Sequence, residues 1–248
     1  MKWRRWWVLR ESPEARVASR LAIACGRNIR ATGRREVSWK SAIDPCTETD
    51  EENERYLATA LRRAFPDHEV IGEEDAGRHG FALTAKPTWI IDPIDGTQNF
   101  VHGLPVSCVS VGLAVNRQAR VGVVYDPYLD ELFVALEGRG AYLDGVKLAA
   151  KATTTTTLEE AMVLVDPGYE RSDVDRLAAV YRNLLAAKTR AIRAIGSSVL
   201  ALCWVAAGRA SAFVIGFCDG DAPKPWDWCA ATLIASEAGA HLEMIDDR

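Results

Sequence analysis

The segment Trp89-Ile90-Ile91-Asp92-Pro93-Ile94-Asp95-Gly96-Thr97 decides how the chain is read. Three consecutive large apolar residues mark a buried strand, and that strand ends abruptly in two carboxylates flanking Pro93. Proline fixes its own φ and has no N–H to donate, so Asp92, the Ile94 carbonyl and Asp95 can be turned toward one point. Oxygen donors placed in this way suit a hard cation such as Mg2+. Gly96 permits close approach of the backbone to a ligand, and the N–H groups of Gly96 and Thr97 can form a small anion-binding nest beside the cation. Taken alone, the segment also fits an ordinary Asp-Pro-x-Asp-Gly turn. A calcium loop fits less well, because its spacing demands acids where Ile94 and Gly96 stand.

Two further segments extend the acidic constellation. Gly72-Glu73-Glu74-Asp75 follows the apolar run 68–71 and reads as an acidic loop, with Glu73 the preferred third ligand. Pro225-Trp226-Asp227-Trp228-Cys229-Ala230-Ala231 sets an acid at the start of an alanine-rich helix. There Asp227 suits a helix cap, and the helix dipole that favours an anion also keeps it ionised as a metal ligand. Gly196-Ser197-Ser198 reads as another helix start, with Ser197 as its cap.

The whole chain, 248 residues at 48% apolar composition, can bury a sizeable core. A formal charge of -4 and a pI near 5.7 offer no basic field for a polyanion, so nucleic acid is not an expected partner. Lys2, Arg4, Arg5 and Arg10 crowd the start beside Trp3, Trp6 and Trp7, but the apolar run 6–9 is shorter than the about 7–15 residues of a secretory core. Residues 1–13 therefore read as a flexible extension and 14–248 as a single domain. No run reaches the roughly 18 apolar residues of a membrane span, so a soluble, cytoplasmic protein is expected. Six cysteines without C-x-x-C spacing read as reduced, mostly buried thiols, and the four histidines lack zinc-ligand spacing.

Periodicity supplies the frame. Val17, Leu21, Ala24 and Cys25 predict a helix over 14–29, followed by Gly33. Thr49 and Glu52 predict a capping box for a second helix carrying Leu57, Leu61 and Phe65, stopped at Pro66. Strands are predicted at 68–71 and 89–91, then an antiparallel meander at 106–115, 120–125 and 131–136. A threonine-rich connection at 153–157 leads to a strand at 161–165 and a helix at 173–185. A helix from Ser197 to Gly208, a strand at 210–215 and a helix at 227–238 closed by Gly239 complete the frame. Strands and helices mixed without strict alternation favour a layered α/β or α+β sandwich.

In this order and spacing, GEED at 72–75, WIIDPIDGTQNFVHGLP at 89–105 and PWDWCAA at 225–231 resemble the motifs of the inositol monophosphatase family. The resemblance runs over roughly residues 14–245. It implies the αβαβα five-layer sandwich of the inositol monophosphatase and fructose-1,6-bisphosphatase type, usually as a homodimer, with Mg2+ as activating ion and lithium as inhibitor. The implied activity is a hydrolase acting on small phosphate monoesters, foremost inositol monophosphate. By motif position the resemblance makes Glu73, Asp92, the Ile94 carbonyl, Asp95 and Asp227 metal ligands. It gives Glu73, Thr97 and Asp50, the last in Thr47-Glu48-Thr49-Asp50, the task of directing the attacking water. Asp95, Gly96, Thr97, Gly196, Ser197 and Ser198 would face the substrate.

The family pattern is also departed from. Where relatives carry a glutamate that holds inositol hydroxyls, the corresponding position reads as Val214, which makes Asp219 or Asp221 in the loop 217–224 the candidate replacement. Histidinol phosphate, a nucleotide 3′-phosphate or a sugar bisphosphate are then alternative substrates, although the NFVHGLP continuation favours inositol phosphate. Family members continue through a further strand and helix past the position of Arg248. That difference and Val214 motivate a non-catalytic scaffold as a rival reading, against which the intact ligand set argues.

Overall fold

Residues 7–32, 37–40, 44–149, 157–169, 172–216 and 223–243 are described by a computed structural model. Gly33, residues 153–156, Asp219 and Asp221 lie outside them.

The chain opens with α1 (Trp7–Glu11), which buries Leu9, and α2 (Pro13–Ala31), capped by Ser12, whose hydroxyl accepts the Ala15 N–H at 3.0 Å. A short hairpin of β1 (Val37–Trp39) and β2 (Pro45–Thr47) leads into α3 (Glu48–Ala64). Then come β3 (Glu69–Gly72), α4 (Glu73–His79), β4 (Thr88–Asp95) and α5 (Thr97–His102). The meander follows as β5 (Cys108–Val115), β6 (Gln118–Asp126), β7 (Glu131–Leu136), β8 (Gly140–Leu143) and β9 (Val146–Lys147). The second half holds β10 (Met162–Val165), α6 (Val174–Ala186), β11 (Ala191–Arg193), α7 (Ser198–Ala206), β12 (Ala212–Val214) and α8 (Pro225–Glu237).

Strands β3 to β9 make one seven-stranded sheet in sequence order, and β11-β10-β12 a parallel three-stranded one. Leu21, Leu57 and Leu61 on α2 and α3 pack on Trp89 and Val111 at one face of the larger sheet. Val124 and Phe133 on its other face meet Leu200 of α7 and Ile234 of α8. The smaller sheet lies beyond, with Leu164 against Ala201 and Val205 of α7, and Val163 and Val165 against Leu177 and Val180 of α6. Helices, sheet, helices, sheet and helix therefore stack as five layers, αβαβα. Close stacking is enforced at Gly122, where an added Cβ would sit 2.6 Å from the Ala230 carbonyl oxygen. The backbone of α8 rests directly on β6.

Two local expectations are corrected. The capping box of α3 is Thr47 with Asp50, not Thr49 with Glu52: Thr47 N–H donates to Asp50 Oδ2 at 2.8 Å, and Thr49 is already helical. Both pairs have the required three-residue spacing, and β2 ends at Thr47, which starts the helix two residues earlier. The acidic loop at Glu73 is instead the first turn of α4. Gly72 has no side chain to cap it, so Glu54 of α3 accepts the Glu74 and Asp75 N–H groups at 2.8 and 2.9 Å.

Candidate metal centre and active site

Along a regular strand, residues three apart point to opposite faces. Asp92 and Asp95 escape this parity because Asp92 pairs with Ser110 and Asp95 with Cys108, so three steps on β4 match two on β5. The β-bulge at Pro93 and Ile94 turns Ile91 and Ile94 together toward α2 and α3, leaving both carboxylates for the opposite side. Asp92 Oδ1 accepts the Ile94 N–H at 2.9 Å, which closes the turn. Gly96 follows with φ 86°, and a Cβ there would lie 2.8 Å from the Val106 carbonyl oxygen, so only glycine fits without strain.

The third acid arrives on α8. Trp226, buried beside Ile90 with its ring 5.5 Å edge-on from Phe81, anchors the first turn of the helix, and its carbonyl accepts the Ser110 hydroxyl at 3.4 Å. Asp227 next to it caps the helix, Oδ2 accepting the Lys224 N–H at 2.7 Å, and still joins Asp92 and Asp95. Each of these three acids offers an oxygen within 4.8 Å of the other two. Cap and cluster member are thus one residue.

Burial, then the charges of Glu73, Asp95 and Asp227, hold Asp92 well above the usual carboxylate range. Asp95 is pushed to about 7 by burial, although the Ser197 hydroxyl and the Val199 N–H, at 3.2 Å, donate to its Oδ2. Asp227 rises to about 8 through burial and the Asp95 charge. Two buried carboxylates, Asp92 and Asp95, and the half-buried Asp227 repel one another and offer hard oxygen donors, a set that fits a divalent cation, which would remove the repulsion.

Glu73 borders this trio through a side-chain contact with Asp92 and is at the same time held by Lys40. Its Oε1 accepts Lys40 Nζ at 2.6 Å, and the same ammonium reaches Glu74 at 3.0 Å. Burial opposes the Lys40 charge, but Glu73 and Glu74 more than offset it and hold its pKa well above the ordinary lysine value. Glu73 remains close enough to be the strongest of the charges acting on Asp92.

Thr97 and Asp50 do meet. The Thr97 hydroxyl lies 2.9 Å from the Ile94 carbonyl and 3.2 Å from Asp50 Oδ1. Fully buried, Asp50 is raised to about 7, its bonds from Thr47 opposing and the Glu74 charge assisting. Ser197 caps α7 as expected, accepting the Leu200 N–H at 3.3 Å, and also donates to Asp95. Gly196 is drawn into the same region through Asn99, whose Nδ2 donates to the carbonyls of Ile195, at 2.7 Å, and Gly196, at 3.1 Å. Ser198 donates instead to Asp166, at 3.3 Å. Val214 packs with Val163 and Val165 toward α6, so its side chain is engaged in that small core.

Lys40, Glu54 and Asp166 had no signal in the sequence, and although Asn99 stands within the motif at 89–105, nothing in that motif shows its partners Ile195 and Gly196.

Among known proteins, a sequence model described as the inositol monophosphatase family matches residues 12–248. Inositol monophosphatase 1 of Solanum lycopersicum is 42% identical over 211 residues, spanning 84% of this chain and 75% of that protein. Inositol monophosphatase 2 of Homo sapiens is 41% identical over 229 residues, spanning 90% and 77%. The crystal structure of extragenic suppressor protein suhB from Bartonella henselae superposes with a TM-score of 0.81 at 28% identity, covering 92% of this chain and 85% of that one. The Thermotoga maritima IMPase gives 0.76 at 33% identity, covering 90% and 82%.

Proposed function

The chain belongs to the inositol monophosphatase family, and from that premise we propose that it is a magnesium-dependent phosphatase converting inositol monophosphate to inositol and phosphate. The observation that carries this reading is the convergence of Asp92, Asp95 and Asp227 from a bulged strand and a helix cap onto one point, where two of the three are buried. A protein using these acids only for stability would gain little from setting three like charges together. That argument also weighs against a non-catalytic scaffold.

Asp92, the Ile94 carbonyl, Asp95 and Asp227 would hold Mg2+, with Glu73 joining when Lys40 releases it. Bound there, the ion would supply a water of lowered pKa and positive charge for the phosphate and leaving oxygen. The Thr97 hydroxyl has one proton and two acceptors in reach, so its oxygen remains free to accept from a water and fix that water's orientation. Asp50, raised to about 7, can take the proton that Thr97 relays at neutral pH. Glu73 would share in directing that water. The N–H groups of Gly96 and Thr97 would hold the phosphate, and Gly196, Ser197 and Ser198 would border the substrate. Ser197 keeps one Asp95 oxygen turned toward α7 and thereby sets the aim of the other.

A homodimer, inhibition by lithium and a cytoplasmic location complete the proposal. No helix among the described residues is long and apolar enough to cross a membrane. Phosphate release from inositol monophosphates, histidinol phosphate, adenosine 3′,5′-bisphosphate and fructose 1,6-bisphosphate, with Mg2+ and with a chelator, tests the reading. The fastest turnover is expected on inositol monophosphate, only with the metal. Absence of metal-dependent turnover on all four would overturn it.

A further inference from the structure

The smaller sheet brings beside the acidic cluster a carboxylate that the cluster does not use. Asp166 directly follows β10, where Val163 and Val165 face α6 while Leu164 faces α7. Alternation therefore sends Asp166 out on the α7 side. There Ser198, the first residue of α7, donates to Oδ2 at 3.3 Å, and the Gly168 N–H donates to Oδ1 at 2.9 Å. The N–H of Asp166 itself donates to the Val214 carbonyl at 3.0 Å, which ties the residue to the end of β12.

The position borders the metal centre. Ser197 binds Asp95 and its neighbour Ser198 binds Asp166, so two successive side chains link the two carboxylates. The charge of Asp166 is among those acting on both Asp95 and Asp227. A carboxylate offers about four acceptor sites, and the two bonds from Ser198 and Gly168 leave the others for a ligand.

We propose that Asp166 is a specificity-determining residue whose carboxylate accepts hydrogen bonds from the hydroxyls of a polyol phosphate seated on the metal centre. The inference rests on the reading of this chain as a polyol phosphate phosphatase. It differs from the sequence-based expectation, in which Asp219 or Asp221, both outside the described residues, supplies the acceptor that Val214 lacks; the Val214 side chain itself packs toward α6. It concerns selectivity: phosphate esters of hydroxyl-poor alcohols offer Asp166 nothing to bind.

The test compares kcat/KM for inositol monophosphate and for phenyl phosphate, which has no alcohol hydroxyl, in the wild type, Asp166→Asn and Asp166→Ala. Circular dichroism and Tm of each variant check the fold. The inositol-to-phenyl ratio is expected to fall about 10–100-fold in Asp166→Ala, the scale of losing a hydrogen bond to a charged acceptor. A smaller fall is expected in Asp166→Asn, which retains one acceptor oxygen and can keep the turn at Gly168. An equal loss on both substrates would overturn the proposal and make Asp166 a positioning residue acting through Ser198. An unchanged ratio in both variants would also overturn it. If the wild type hydrolyses neither ester with Mg2+, the phosphatase reading itself fails, an outcome distinct from a shifted or unshifted ratio.

Discussion

The larger and the smaller sheet both end beside the first turn of α7 but are built differently. All eight residues of β4 are buried, and Asp92 and Asp95 are only 1% and 7% exposed. On the smaller sheet, β11 and β12 have no fully buried residue, and neither does α6, which covers it. Packing thus holds the larger sheet most tightly at the strand end that carries the acidic cluster, and the outer strands of the smaller sheet more loosely on either side of the buried β10. On the proposed reading, chemistry would reside in the dense half and selectivity in the loose one.

The strongest way to break this contrast is Asp95→Asn. Activity should drop about 10²–10³-fold, the scale of removing one electrostatic stabiliser, with the circular dichroism spectrum kept, because the amide oxygen can still accept from Ser197 and Val199. Near-normal turnover at saturating Mg2+ would remove Asp95 from the metal site. Next, urea denaturation should show that Leu57→Ala, at a fully buried position on α3, costs about 2–5 kcal/mol. Leu177→Ala, on the half-covered α6, should cost about 1 kcal/mol or less, since less apolar area leaves water there. Equal costs would erase the difference between the halves.

Metal binding sharpens the contrast further. Mg2+ at about 100 times its Kd should stabilise the chelator-treated protein by about 2.7 kcal/mol, visible as a raised Tm. Asp95→Asn should lose most of that gain, whereas a gain undiminished in the variant would place the ion elsewhere. Smaller still is Gly96→Ala, which forces a Cβ into the left-handed region and toward the Val106 carbonyl. A loss of about 1–3 kcal/mol is expected. Unchanged stability in thermal unfolding would mean that the bulge relaxes, and that the strand end is less rigid than its burial implies.

The sequence was most legible where the causes are local. The turn at Asp92-Pro93-Ile94-Asp95 can be read because proline chemistry and short spacing produce it, and the meander because alternation repeats over neighbouring strands. Thr47 and Asp50 illustrate a milder failure: the right capping pattern was present twice, two residues apart, and only the end of β2 selects between the copies. Strand parity alone would set Asp92 and Asp95 on opposite faces; the convergence expected from Pro93 is realised through the shifted register against Ser110 and Cys108.

By itself, then, the sequence determined the fold class, the β4 strand with its acids, the helix cap at Ser197, the acid in the first turn of α8, and the family to which the motifs belong. Tertiary structure alone decided that Lys40 holds Glu73 across 33 residues, that Glu54 caps α4 across 20, and that Ser198 meets Asp166 across 32. It also decided that Val214 turns toward α6. The physical reason is range: turn chemistry and periodicity act over a few residues and leave their mark in the order of the letters. Contacts between distant polar groups arise from how layers stack, and a lone lysine, glutamate or aspartate carries no mark of the partner that packing will bring to it.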